Sequence, residues 1–397
     1  MIRQLKTYDF SLLFAPIALA AFGTIMIYSA SMVFGPMVWG LESDHFLIKQ
    51  IQWLAVGLIM MFVFSAIPYR FWQRLTKSIV IFMLLSLGFL FVFGTNVNNA
   101  VSWYNLGFMN FQPAEFVKVG LIIYLSSVYA KKQKYISDFG KAVIPPLVLT
   151  ILILGLIIMQ PDIGSAAVIG LIASLIIMSS GIKWKHILLL VAATLIVIVL
   201  GASQMATDER LNRFSGAYQP FESPDDDGYH LIQSYVAIGT GGIVGEGLGQ
   251  GVQKLGYLPH PHTDFIMAVI AEELGFIGVG ITIGLLALIV LRGFYISSKC
   301  RDAFGSLMAI GISSMIGIQA FINLGAMSGI LPITGVTLPF VSYGGSSLVI
   351  LMIAVGILNN IARHVKQKEQ EKDEEEVHVV NEDKEATTNR GVRSWQN

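Results

Sequence analysis

Charged residues are scarce in this chain. Only 13% of its 397 residues are Asp, Glu, Lys or Arg, whereas 54% are hydrophobic, and a soluble domain usually carries about twice that charged fraction. The 26 basic residues balance the 26 acidic residues, so no excess of positive charge indicates nucleic acid as a partner. This composition excludes a disordered chain, a coiled coil and an ordinary cytosolic enzyme.

Cysteine is nearly absent as well. Cys300 is the only one, so no disulfide can form within the chain. The sequence also lacks the HExxH and CxxC patterns of common zinc sites. His260, His262 and Asp264 form a compact set of candidate ligands, but the set is too small for a closed zinc site. We therefore assign no metal, and a divalent cation stays open as a cofactor.

Long hydrophobic runs fill most of the sequence. A transmembrane helix needs about 20 apolar residues, and runs of this length predict an all-α polytopic membrane protein with about ten transmembrane helices. We place the spans at residues 11–34, 48–67, 78–95, 113–130, 142–160, 163–181, 185–205, 263–292, 303–328 and 339–362.

Basic residues alternate from loop to loop. Lys and Arg cluster at the N-terminus, in every second loop and after the last span. Because such residues favour the cytoplasmic side, both termini are predicted to be cytoplasmic, with a large extracytoplasmic loop at 206–262 between helices 7 and 8. Residues 1–362 are then the membrane domain, and 363–397, which include the run KEQEKDEEE at 368–376, are predicted to be a disordered cytoplasmic tail.

Polar, glycine-rich and aromatic segments concentrate on the predicted outer side. They are 102–118 (SWYNLGFMNFQPAEFVK), 160–165 (QPDIGS), 228–251, 258–265 (LPHPHTDF) and 331–347 (LPITGVTLPFVSYGGSS). Binding sites concentrate on irregular segments held by a rigid scaffold, so the site is predicted to face outward. Since nucleotide-activated substrates are cytosolic, an outward-facing enzyme needs another donor, and a lipid-linked one is the natural choice. No strand precedes the glycines at 239–251, so we expect them to permit close packing rather than dinucleotide binding.

Three ionisable positions lie within or at the edge of spans, where charge is costly. Glu115 and Lys118 are three residues apart, so they share a helix face and can pair. This pair either pins two helices together or contacts the substrate. Asp162 follows Pro161 at the start of a span, and it is either a helix-start acid that interacts with the dipole or a functional group.

Asp264 opens a span directly after the long loop. Thr263 or Asp264 could simply cap the helix. Alternatively, an acid at the boundary between water and membrane is partly desolvated, which raises its pKa and suits it to act as a general base. Glu272 lies two helical turns further on, with Glu273 beside it, and the sequence does not identify partners for these acids.

Five motifs give the chain its resemblance to a known family. They are FQPAEFVK at 111–118, QPDIGS at 160–165, GYHLIQSYVAIGTGGIVGEGLGQG at 228–251, HTDF followed by EELG within 262–275, and LPITGVTLPFVSYGGSS at 331–347. With these motifs the chain resembles the SEDS family of bacterial cell-wall proteins (FtsW, RodA and SpoVE) over nearly its whole length except the tail. The loop DDDGYHLIQS and the ending TLPFVSYGGSS are more similar to the FtsW division branch.

The resemblance implies a peptidoglycan glycosyltransferase with ten transmembrane helices. Such an enzyme polymerises lipid II, a disaccharide-peptide on undecaprenyl pyrophosphate, at the outer face of the bacterial cytoplasmic membrane, here at the division septum. Its essential aspartate corresponds to Asp264, its membrane Glu and Lys to Glu115 and Lys118, and its QPD acid to Asp162. The motifs supply further substrate-binding or supporting residues: Gln233, His262, Thr263, Ser342, Tyr343 and Ser346. Expected partners are a class B penicillin-binding protein transpeptidase and other membrane proteins of the division complex.

The sequence departs from the family pattern in two places. Val101 and Ser102 stand where basic residues commonly precede the tryptophan of the first motif, and His260 stands where a glutamate is common. The charge of the leaving pyrophosphate must then be met elsewhere. The candidates are Lys118, Arg210, Arg213, backbone N–H groups of the glycine-rich segment and a bound divalent cation.

Other functions stay as alternatives. A lipid II flippase or other transporter would also use intramembrane Glu115, Lys118 and Asp162. A non-catalytic scaffold of a division complex would tolerate substitutions of Asp264 and fail when helix surfaces change. An elongation polymerase similar to RodA would share the chemistry of the division enzyme. The clustering of the motifs on one side argues against transport, because a route across the membrane needs matching features on both sides.

Overall fold

The computed structural model describes residues 8–97, 100–105, 107, 110–192, 216–222, 224 and 228–393, and within these ranges it is almost entirely helical. The helices are α1 (Phe10–Ser31), α2 (Phe34–Trp39), α3 (His45–Ala66), α4 (Arg70–Arg74), α5 (Thr76–Phe93), α6 (Pro113–Lys131), α7 (Ile144–Ile158), α8 (Ile163–Ser179), α9 (Tyr229–Gly241), α10 (Ile266–Lys299), α11 (Ala303–Met327) and α12 (Gly345–Arg393). Short 3₁₀ turns lie at Gln133–Tyr135, Pro220–Glu222 and Gln253–Leu255, and a π-helical turn at Phe139–Val143 leads into α7.

Eight helices of the described part are long and apolar enough to cross a membrane. They are α1, α3, α5, α6, α7 with its preceding turn, α10, α11 and the first part of α12. The apolar helix α8 is shorter, and it occupies the sixth predicted span. The prediction of an all-α polytopic membrane protein is confirmed. The seventh predicted span, 185–205, begins in a helical segment at 184–192 and otherwise lies outside the described residues, as do Arg210 and Arg213.

The bundle has buried central helices and lipid-facing outer ones. Small residues bring neighbouring helices close together. A Cβ added to Gly120 on α6 would lie 2.5 Å from the sulfur of Met83 on α5, and one added to Gly311 on α11 would lie 2.5 Å from Ile122 on α6. The outer helices α3 and α5 instead expose large apolar side chains such as Phe62, which in a membrane contact lipid.

A small antiparallel sheet, which the sequence did not predict, follows α5. Its strands are β1 (Thr95–Val97), β2 (Ala100–Asn105) and β3 (Asn110–Phe111), in the order β1-β2-β3. The Tyr104 hydroxyl donates to the carbonyl oxygen of Ser86 on α5 at 2.7 Å. This contact holds the sheet against the end of α5, next to the start of α6.

Helix α10 is broken at Gly275. This residue has φ 61° and ψ −159°, so two helical segments meet there. The break leaves backbone N–H and C=O groups without partners inside the helix, and the backbone of the preceding glycine-rich loop (residues 242–251) binds them. Phe276 N–H donates to Gly242 O at 3.0 Å, and Gly247 N–H donates to Glu273 O at 3.0 Å. Irregular backbone at membrane depth is tolerated where protein satisfies it in this way.

The glycines of this region permit the close packing that the sequence predicted. A Cβ on Gly241 would lie 1.8 Å from the carbonyl oxygen of Ala271, and one on Gly245 would lie 2.2 Å from the carbonyl oxygen of Glu273. No side chain fits at either position, so the loop can lie directly against the first part of α10.

The end of the bundle that carries the basic loops is closed by polar contacts. The Tyr69 hydroxyl donates to Asp302 at 3.0 Å and its backbone N–H donates to the Asn360 side chain at 2.8 Å. Arg292 donates to Asp9 at 2.7 Å. Segments that were all predicted to be cytoplasmic therefore meet at one end of the molecule.

The last helix extends beyond the predicted membrane domain. Helix α12 continues without a break through Arg393, over most of the residues for which the sequence predicted a disordered tail. Lys368 and Lys372 each have a glutamate three residues away, Glu371 and Glu369 respectively, and opposite charges at this spacing support a helix. That these residues form a unit separate from the membrane domain stays a prediction.

Candidate active site

The segments predicted to face outward converge at the opposite end of the bundle. Gln112, just before α6, donates to the carboxylate of Asp162 at 3.3 Å. A Cβ on Gly164 would lie only 2.4 Å from the carbonyl oxygen of Thr334, so the start of α8 lies against the segment 331–347. These contacts bring the first, second and last motifs together.

Asp264 lies in the turn before α10, and its backbone is held from α11. The side-chain amide of Asn323 donates to the carbonyl oxygens of Asp264 and Val336, each at 2.8 Å. A Cβ on Gly335 would lie 3.9 Å from the Asp264 carboxylate, so the segment 331–347 passes directly beside it. The same end therefore holds Asp162 and Asp264 on either side of this segment.

The Asp264 side chain does not cap α10. The N-cap residue is Phe265, and no side chain makes a cap hydrogen bond there. Within the described ranges, no donor lies at hydrogen-bond distance from the Asp264 carboxylate. The structure therefore does not show the alternative in which the Asp264 side chain caps the helix.

The electrostatics around Asp264 suit proton acceptance. Burial raises the pKa of the Asp264 carboxyl, and nearby His260 offsets part of that rise. Burial lowers the pKa of His262 to about 4, with His260 adding to the effect. Because a carboxylate with a raised pKa is a stronger base, Asp264 can take a proton, whereas His262 is neutral at physiological pH.

His262 lies in an aromatic cluster. Its side chain is 2% exposed, and its ring lies 4.6 Å from Phe46, 5.8 Å from Tyr343, 5.6 Å from Phe34 and 5.7 Å from Trp39, measured between centroids. The backbone N–H of Tyr343 donates to His262 O at 2.9 Å. These contacts fix the turn that carries Asp264.

The predicted serines are bound to backbone groups. Ser342 donates to the carbonyl oxygen of Thr263 at 2.6 Å and accepts the N–H of Leu338 at 2.9 Å. Ser346 donates to the carbonyl oxygen of Asn110 in β3 at 2.8 Å. Both serines therefore join loops of the site to one another.

Gln233 and Thr263 have weaker links to the acid. Gln233 lies partly buried on α9, and no hydrogen bond within the described ranges joins it to the residues around Asp264. The Thr263 hydroxyl donates to His260 O at 3.3 Å, which shapes the turn. The structure brings Thr263 beside Asp264 and places Gln233 on a neighbouring helix.

Glu115 and Lys118 form a buried ion pair in the first turns of α6. Their charged atoms are 2.8 Å apart, and their side chains are 9% and 4% exposed. The bridge lies within one helix, so it does not itself pin two helices together. The second carboxylate oxygen of Glu115 has no hydrogen-bond partner among the described residues, which leaves a buried acceptor near Gln112.

Asp162 combines two contacts. One carboxylate oxygen accepts the N–H of Ser165 at 3.0 Å, which caps α8. The other accepts from Gln112. The helix-start role is therefore present, together with a contact to the segment that begins α6.

Asn323 was not predicted from the sequence. The one feature that could have identified it is the presence of a side-chain amide within an apolar span. The sequence also left Glu272 and Glu273 without partners, which the structure supplies. No group of three or more His, Cys, Asp or Glu side chains in the described part is placed to hold a metal ion.

Comparisons with known proteins identify the family. The family model described as "Cell cycle protein" (FtsW, RodA, SpoVE) matches residues 10–367. A probable peptidoglycan glycosyltransferase FtsW of Bacillus subtilis (strain 168) is 49% identical, with 94% of this chain and 95% of the relative covered.

Two solved structures are similar in fold. A chain of the structure described as "Structural coordination of polymerization and crosslinking by a peptidoglycan synthase complex" has a TM-score of 0.75 at 29% identity, with 90% of this chain and 98% of that chain covered. The rod shape determining protein RodA of Thermus thermophilus has a TM-score of 0.65 at 28% identity, with coverages of 90% and 97%. From the residues matched and the identity to these relatives, the chain belongs to the FtsW, RodA and SpoVE family of cell cycle proteins.

Proposed function

We propose that this chain polymerises lipid II into glycan strands at the outer face of the membrane, with Asp264 as the general base. The chain is a peptidoglycan glycosyltransferase of the division-associated branch of its family and a multi-pass protein of the cytoplasmic membrane. One observation supports the assignment of the base above the others. The Asp264 backbone is held by Asn323, while its carboxylate keeps no donor among the described residues and has a raised pKa.

The proposed step is a single displacement. The Asp264 carboxylate removes the proton from the 4-hydroxyl of the acceptor GlcNAc. That oxygen attacks the anomeric carbon of the donor MurNAc, the bond from this carbon to the phosphate oxygen breaks, and undecaprenyl pyrophosphate leaves with the electron pair. The anomeric centre inverts, and the proton stays on Asp264 until water removes it. Such a step needs one base and a stabilised leaving group.

Lys118 stays a candidate for the leaving pyrophosphate, and its ammonium would be shared with Glu115, to which it already donates at 2.8 Å. Arg210 and Arg213 lie outside the described residues. Several N–H groups of the glycine-rich loop already donate inside the protein, to the backbone of α10 and to Glu273. A divalent cation would supply the same positive charge, and no step here depends on one.

We further propose that the chain works with a class B penicillin-binding protein transpeptidase and other membrane proteins of the division complex. The support is its likeness to a chain from a peptidoglycan synthase complex that coordinates polymerisation and crosslinking. In such a pair one protein would make the strands and the other would crosslink them. Co-purification of the two full-length proteins tests this, and separate elution in mild detergent would contradict it.

Polymerisation from purified lipid II tests the base. We would supply the chain, its cognate transpeptidase and lipid II in liposomes, and compare the wild type with Asp264→Asn, which keeps the shape of the side chain. Loss of the base is expected to lower the rate by at least about 100-fold. Asp138→Asn is the matched control, because Asp138 is half exposed at the cytoplasmic end beside Lys141, and it is expected to keep full activity.

Each outcome has a separate meaning. Strands at the wild-type rate from Asp264→Asn would remove Asp264 as the base and make Asp162 the next candidate. No strands from any variant, with the complex shown intact, would favour a transporter or a scaffold instead.

A further inference from the structure

Two adjacent acids of α10 bind the loop that precedes this helix. We call residues 252–265 the Asp264 loop. One carboxylate oxygen of Glu272 accepts the backbone N–H groups of Val252 at 2.7 Å and Gln253 at 3.0 Å. The Glu272 side chain is buried, so the start of the loop is fixed to the helix into which its end continues.

Glu273 forms a second buried contact on another side of the helix. Its carboxylate accepts the N–H of Gly249 at 2.9 Å and the hydroxyl of Ser29 on α1 at 2.7 Å, and it forms an ion pair with Lys254. The Lys254 ammonium also donates to Ser29 at 2.8 Å. The side chains of Lys254 and Glu273 are 1% and 0% exposed. We call Lys254, Glu273 and Ser29 the buried triad.

Stability alone does not explain the charges of the buried triad. Taking two ions out of water offsets much of their attraction, and well-packed apolar side chains are often as stable in the same place. An ion pair does, however, fix the position of the segments that it joins. Here it joins the Asp264 loop to α1 and to the first part of α10.

The first part of α10 is itself fixed. The carbonyl oxygen of Glu272 accepts the N–H of Glu246 at 2.9 Å, and the carbonyl oxygen of Glu273 accepts the N–H of Gly247 at 3.0 Å. The Asp264 loop is thus held at its start by the two acids and at its end by Asn323 and Ser342. Asp264 lies at the second of these anchored points, so the location of its backbone is fixed.

We propose that Lys254, Glu273 and Ser29 are positioning residues for glycosyl transfer, acting on Asp264 through the Asp264 loop. This inference rests on the proposed role of Asp264 as the base. None of the three touches the reacting atoms. Without the triad the loop would still be attached through Glu272, but its register against α1 would be lost. A displacement of about 1 Å in a catalytic group lowers a rate by about 100-fold.

The test replaces both charges together. A single substitution leaves a buried charge without its partner and destabilises the fold, so the variant is the double one, Lys254→Met with Glu273→Met. It is expected to melt cooperatively in detergent, somewhat below the wild type because the Gly249 N–H and the Ser29 hydroxyl lose Glu273 as their acceptor. Per folded molecule, its kcat is expected to fall by about 10- to 100-fold with little change in KM. Amides of residues 249–258 are expected to exchange with deuterium faster than in the wild type.

Arg292→Met is the matched control. Arg292 pairs with Asp9 at the opposite end of the bundle, and its side chain is 40% exposed. Its removal breaks an ion pair that involves α10 without touching the loop, so both kcat and exchange at 249–258 are expected to stay unchanged.

The two readouts separate the two proposals. A double variant with wild-type kcat would overturn the positioning role, and so would a lowered kcat with unchanged exchange at 249–258. Absence of strands from the wild type would contradict the proposed function itself, while the exchange measurement would still decide whether the triad fixes the loop.

Discussion

The protonation state of Asp264 is the main control of the proposed reaction. Because the residue acts as a carboxylate, activity is present above its pKa and is lost as the pH falls through it. Because burial raises that pKa, the loss is expected at a higher pH than for an exposed aspartate. His262, with a pKa lowered to about 4, stays neutral through this range and adds no step near neutral pH.

A substitution of the neighbouring His260 tests whether the pKa of Asp264 controls the reaction. His260 lowers the pKa of Asp264, so His260→Asn is expected to move the acidic limb of kcat/KM to higher pH. Asn tolerates the positive φ of 50° that the backbone has at this position. The other imidazole near the turn, on His230, stacks on Phe265 and is left in place.

The measurement is a pH–rate profile for the two proteins. His186→Asn, which changes an imidazole beside Phe139 far from Asp264, is the control and is expected to leave the profile in place. If the acidic limb of the kcat/KM profile lies at the same pH in His260→Asn and in the wild type, a group other than Asp264 controls the rate.

The charged residues of the motifs could be identified from the sequence as candidates, whereas Asn323, which holds the backbone of the proposed base, could not. Asp264, Asp162 and the Glu115–Lys118 pair stand out because charge is rare in an apolar chain. Asn323 is uncharged and lies inside a long span. Its importance depends on which carbonyl groups face it, and this is decided only when α11 packs beside the segment 331–347.

The break in α10 is the clearest structural feature at the level of single elements. Gly275→Ala is expected to destabilise the protein by at least about 1–3 kcal/mol, because this backbone conformation is essentially restricted to glycine. The added Cβ would also lie 2.4 Å from Gly245 N and 2.5 Å from Ile243 O. Thermal unfolding in detergent measures the effect.

Gly284→Ala in the same helix is the control. No atom lies within 4 Å of a Cβ placed there, so the change is expected to alter stability by less than about 1 kcal/mol. Equal melting temperatures for the two variants would contradict the break at Gly275.

Hydropathy predicts the presence of the spans and misses their interruptions. The predicted eighth span, 263–292, crosses Gly275 because the run stays apolar on both sides. The small sheet of β1, β2 and β3 was missed because its strands are only two to six residues long, too short to show an alternating pattern. They pair with one another, and the Tyr104 hydroxyl links them to α5. Hydropathy places the end of the last span at 362, where the apolar run ends. Helix α12 continues beyond this residue, because charged residues that follow also favour a helix.

The molecule as a whole has two chemically different ends. Basic loops and the contacts of Tyr69, Asp302 and Arg292 lie at one end, and Asp162 and Asp264 lie at the other. The alternation of Lys and Arg predicts that the first end is cytoplasmic. Two exposed positions, Ser43 and Lys134, lie on opposite sides according to this prediction.

Cysteine labelling tests that orientation. In a Cys300→Ser background, Ser43→Cys is expected to react with an impermeant maleimide added outside cells whose wall has been removed. Lys134→Cys is expected to react only after the membrane is permeabilised. Labelling of Lys134→Cys in sealed cells would reverse the predicted orientation and place the Asp264 end inside.

The break at Gly275 also bears on how the chain enters the membrane during synthesis. Residues 276–299 extend about 36 Å at 1.5 Å per residue, which exceeds a hydrocarbon core of about 30 Å. The translocon can therefore insert this part alone, whereas Asn323 and the segment 331–347, which lie against Asp264, are synthesised only later. We expect biogenesis to complete the bundle first and the reaction centre last, so that a nascent chain carries no working base.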